Sequence, residues 1–76
     1  MPRNTLFPNT AQTYGEKEIP GNLNVEAMMS GSFEIRIGSR APESHKLGQG
    51  MVRSLEINNA SIRITNTSHN ELQLSW

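Results

Sequence analysis

The sequence predicts an all-β fold: a small antiparallel sheet or barrel of about five strands with an extended N-terminal arm. Three observations carry this. From Leu23 onward apolar and polar residues alternate, the period of a strand with one buried face. Turn-forming pairs, Ser30-Gly31 and Asn58-Asn59, separate the alternating runs. Residues 1–22 carry no period and hold Pro2, Pro8 and Pro20, three of the four prolines in the chain.

The arm, residues 1–22, reads as extended because proline fixes φ and removes a backbone donor. Its apolar residues are few and widely spaced: Leu6, Phe7, Tyr14 and Ile19. Sparse anchors on a polar segment suit docking onto another surface, either the rest of this chain or a neighbouring copy. A disordered tail is the plain alternative.

The small β domain is assigned to residues 23–76. Leu23, Val25, Ala27 and Met29 share one parity, and Phe33, Ile35 and Ile37 share the next. Turning at Ser30-Gly31, they form a predicted hairpin, 23–29 with 32–38. A single helical turn over Val25–Met29 competes, since Glu, Ala and Met favour helix. Met28, adjacent to Met29, points outward from such a strand and becomes a candidate subunit contact.

Residues 38–50 hold four of the features that interrupt regular structure: Gly38, Pro42, Gly48 and Gly50. They read as one long loop. Beyond it a three-strand meander is predicted, 51–57, 60–67 and 71–76. Asn58-Asn59 suits a two-residue type I′ turn, setting Ile57 opposite Ala60 and Leu55 opposite Ile62, with Glu56 and Arg63 diagonal on the other face. A three-residue turn at Ser68-His69-Asn70 then sets Ile64 opposite Leu74 and Ile62 opposite Trp76. Arg53 falls in phase with Leu55 and Ile57. A bulge that turns Val52 inward is the preferred explanation, with snorkelling at the sheet's end or a binding role as alternatives.

Composition narrows function. A chain of 76 residues with 34% apolar content has little core to spare. Small domains compensate with disulfides, metal or oligomerisation. There are no cysteines, and His45 and His69 stand far apart without ligand-like neighbours, so no metal or other cofactor is expected. Self-association is the remaining route. Zero net charge weighs against a strong non-specific nucleic-acid binder. No apolar run is long enough to span a membrane, and Met1-Pro2-Arg3-Asn4 does not open a secretion signal, so a cytoplasmic or virion location is expected. No nucleophile–base signature such as Gly-x-Ser-x-Gly occurs and no carboxylate pair is set for acid–base work, so no catalytic residue is assigned and no enzyme activity is expected.

One polar cluster stands out: Arg36, Arg40, His45, Lys46 and Arg53, in and around the long loop. Loops on a rigid sheet are where binding residues gather. The leading expectation is a non-enzymatic assembly or protein-binding module whose partner is a second copy or a larger protein. By analogy with other short self-contained chains, it would be a structural or inhibitor component of a phage or virus. The second expectation is a nucleic-acid-binding barrel of SH3-like or OB type using the basic loop. A third is a chain that orders only on meeting its partner.

Overall fold

The computed structural model describes residues 1–76. The chain is all-β, with eight strands and no helix: β1 (Arg3–Leu6), β2 (Ala11–Tyr14), β3 (Asn22–Ala27), β4 (Gly31–Ile37), β5 (Glu43–Leu47), β6 (Val52–Glu56), β7 (Ile62–Asn66) and β8 (Leu72–Ser75). They form two open antiparallel sheets, β1-β8-β3-β6 and β2-β7-β4-β5. This strand order is that of an eight-stranded jelly roll. Only β4 and β5 are neighbours both along the chain and within a sheet. Every other connection crosses from one sheet to the other.

Alternation builds the core. Leu23, Val25 and Ala27 point inward from β3, and Phe33, Ile35 and Ile37 point inward from β4. Ile62 and Ile64 from β7 meet Leu72 and Leu74 from β8 across the sandwich. Residues 1–22 complete this core, since Leu6 and Ile19 are fully buried in it and Tyr14 nearly so. β1 pairs with β8, beginning at Arg3↔Ser75, and β2 pairs with β7, beginning at Ala11↔Thr65. The arm's anchors therefore dock on their own chain. Trp76, half-buried, packs edge-on against Tyr14 with ring centres 4.9 Å apart.

Several expected pairings are overturned. The hairpin 23–29/32–38 does not form, because β3 and β4 lie in opposite sheets. Chain reversal at Met28–Ser30 carries the strand over the core, and Gly31 permits the crossing. A Cβ there would sit 2.8 Å from Leu72 Cδ2. The meander 51–57/60–67/71–76 fails for the same reason: β6 and β8 belong to one sheet and β7 to the other. Leu55 pairs with Leu23 rather than Ile62, and Ile64 pairs with Ile35 and Gln12 rather than Leu74. Glu56 and Arg63 lie on different sheets and are not diagonal neighbours. Asn58 and Asn59 do both take positive φ, 50° and 68°, with the Ala60 amide donating to Ile57 O at 3.1 Å. The expected I′ turn is present, yet the strands it joins diverge. Loop 15–21 holds them apart: the Asn59 amide donates to Ile19 O at 2.9 Å and the Asn58 amide to Gly21 O at 3.0 Å.

The long loop 38–50 is also corrected. Its middle is strand β5, with Phe33↔His45 and Gly31↔Leu47 in register. Its glycines mark turns at either end, where Gly38 and Gly50 take φ of 58° and 74°. No bulge forms at Arg53. β6 pairs continuously with β3 from Glu26↔Val52 to Asn22↔Glu56, and Val52 stays 54% exposed. Arg53 shares the inward phase of Val25 but stands on an edge strand, where its side chain reaches solvent.

An accessible surface of 4656 Å² matches the ~4,700 Å² that a compact monomer of this mass exposes. The two sheets thus cover each other. The expectation that a thin one-sided sheet needs a second copy for cover loses its ground.

Candidate interaction surface

The four connections β1–β2, β3–β4, β5–β6 and β7–β8 gather at one end of the sandwich. Each has a local cause. Phe7-Pro8-Asn9-Thr10 is a turn with proline second and Asn9 third at φ 58°, closed by the Thr10 amide on Phe7 O at 3.2 Å. At Gly48–Met51 the Met51 amide donates to Gly48 O at 3.1 Å, and the Gly50 amide reaches Ala27 O at 2.8 Å. That second bond latches the β5–β6 turn to the end of β3. Asn70 Nδ2 donates to Ser30 O at 2.7 Å, joining the β7–β8 and β3–β4 connections.

These fixed turns display apolar side chains to solvent. Phe7, Met28, Met29, Met51 and Val52 are each about half exposed or more, from 49% to 62%. Met1 is the one other large apolar residue so exposed. Beside them a groove of about 380 Å³ is lined by Pro8, Met28, Met29, His69, Asn70 and Glu71. Methionine and phenylalanine on solvated turns contribute nothing to the core, whereas methionine adapts readily to a partner's surface.

Of the expected interface residues, Phe7 and Met28 belong to this end. Leu6, Tyr14 and Ile19 are instead core residues. Sparse spacing in the sequence marks the four arm residues alike, because it does not reveal which of them the chain itself buries, whereas Met28 is marked by its outward phase beside Met29. Met51 and Val52 fall in the predicted strand 51–57, where the preferred bulge turns Val52 inward, so alternation marks neither as a contact residue.

The basic residues do not converge. Arg36 and Lys46 lie on the outer face of the second sheet, opposite Arg63 and Ser32 respectively. Arg53 is on the other sheet, and Arg40 is exposed in the turn after β4. His45 turns inward and stacks on Phe33, with ring centres 5.2 Å apart. Its Nε2 is buried without a hydrogen-bond partner, with Glu43 Oε2 at 3.9 Å. No three His, Cys, Asp or Glu side chains gather anywhere in the fold, and no helix is long and apolar enough to cross a membrane. Comparison of the chain with models of known protein families, with curated proteins and with solved structures found no match.

Proposed function

We propose that this chain is a non-enzymatic assembly module that associates with itself, or with a larger protein, through the apolar loop end. One observation carries the reading: five large exposed apolar residues lie at a single end, Phe7, Met28, Met29 and Met51 on three turns and Val52 at the start of β6. An apolar cluster on solvent-facing turns marks an interaction site more often than chance exposure.

The sheet edges favour the loop end over strand addition. All four edge strands are short, four or five residues each. β6 carries Arg53 and β5 carries Glu43, opposite Ile35, in the inward phase of the strand, with both side chains reaching solvent at the edge. Short edges and inward charges oppose edge-to-edge pairing. A phage or viral setting is a proposal by analogy of fold alone, since jelly rolls also serve as lectins and cupins.

Sedimentation equilibrium tests the reading. The native chain should exceed its 8.5 kDa monomer mass as concentration rises. Replacing Met28 and Met29 by Asp should return it to monomer with an unchanged amide spectrum. A native chain that remains a monomer at every concentration overturns self-association.

A further inference from the structure

We propose that Arg36 and Arg63 form a binding site for a phosphate group on the outer face of the β2-β7-β4-β5 sheet. The two residues are direct cross-strand partners on β4 and β7, and both are exposed. Thr13 on β2 lies opposite Arg63, extending the row over three strands. A shallow depression of about 140 Å³ is lined by Thr13, Arg36, Gly38, Ser61, Ile62 and Arg63.

Like charges directly opposed across a sheet are destabilising. Here no ion pair or side-chain hydrogen bond is made to either arginine. The one ion pair within 4.0 Å is His45–Glu43, and no side-chain hydrogen bond in the fold involves an arginine. Glu34 stands one outward position along β4, diagonal to Arg63, but makes no N···O contact with either arginine within 4.0 Å and lies directly opposite Thr65 and Ser44.

Each guanidinium offers five N–H donors in a planar fork that matches phosphate oxygens two at a time. The Thr13 and Ser61 hydroxyls add neutral donors to the same depression. A bound dianion would replace the repulsion between two cations with attraction to both. The floor is held by the Gly38 amide on Ser61 O at 2.8 Å, which ties the β4–β5 and β6–β7 connections together.

The test is an amide-shift titration with sodium phosphate against sodium chloride at matched ionic strength. Phosphate should move the Thr13, Arg36 and Arg63 amides saturably, and chloride should not. Arg36→Gln and Arg63→Gln should each weaken binding about tenfold. Arg63→Lys, which keeps charge but loses the fork, should also weaken it. Without phosphate, each Gln variant should melt no lower than the native chain, because repulsion is relieved. Equal responses to phosphate and chloride, or unchanged phosphate binding in the doubly substituted chain, overturn the site. A short oligothymidylate identifies the source of the group. Tighter binding than free phosphate assigns it to a nucleic-acid backbone, and binding no tighter assigns it to a free or monoester phosphate.

Discussion

Asn66 is the single polar side chain in the core, fully buried at the end of β7. Its amide spends all its capacity. Nδ2 donates to Leu6 O at 3.0 Å and Asn70 O at 2.8 Å. Oδ1 accepts from the Ser68 amide at 2.9 Å and the Ser68 hydroxyl at 2.7 Å. Its backbone bonds Thr10 O and the Asn9 amide as well. One residue thereby ties the end of β1, the β1–β2 turn and the β7–β8 connection. Asn66→Ala would leave two carbonyls and an amide without these partners at a buried site, where each unmet group costs about 1–3 kcal/mol. A loss of about 3–5 kcal/mol is expected, read from the urea midpoint, and a loss under about 1 kcal/mol would contradict the role given to Asn66. Asn66→Asp should be no milder, since it keeps the acceptors but loses both donors and buries a charge. None of this was visible in the sequence. Asn66 read as an ordinary polar residue at the end of a strand, because an amide reveals its role only when the groups it bonds are brought together.

At the scale of elements, alternation told which residues face inward but not which strands lie side by side. Phe33, Ile35, Ile37, Ile62, Ile64, Leu72 and Leu74 were placed on a core face and are buried there. Parity is satisfied equally by a neighbour in the same sheet and by a strand facing it across a sandwich. The turn at Asn58-Asn59 was legible from its residue types, and its crossing between sheets was not. β5 escaped notice because its inward residues include Glu43 and His45, an apolar pattern broken by the demands of an edge. The same logic explains Arg53, whose charge on the inward side of β6 guards an open edge. Arg53→Val should therefore make the chain aggregate faster on standing, followed by light scattering, while leaving the fold of the monomer intact. A variant as slow to aggregate as the native chain would remove the guarding role from Arg53.

For the whole molecule, the decisive matter is whether the first 22 residues are an appendage or part of the fold. The sequence separated them because they lack a period, and four-residue strands are too short to show one. In the structure they supply one edge strand to each sheet. They also close the side of the sandwich where Asn4 Nδ2 donates to Tyr14 Oη at 3.0 Å across the gap between sheets. Burial of Leu6, Tyr14 and Ile19 contributes roughly 1.5–3 kcal/mol each. A domain of this size has a total stability of only about 4–11 kcal/mol. Deleting residues 1–22 removes burial comparable to that total and opens β7 and β8 to solvent along their length. The truncated chain should lose its dispersed amide spectrum and its cooperative melting transition. Truncation is for that reason no measure of assembly, which must be read from exposed positions such as Met28 and Met29, where substitution leaves the core untouched. A truncated chain that still melts cooperatively would show that six strands hold the core alone. Leu6, Tyr14 and Ile19 would then be docked on a finished domain, and release of the arm to a neighbouring copy would become the simpler route to an oligomer.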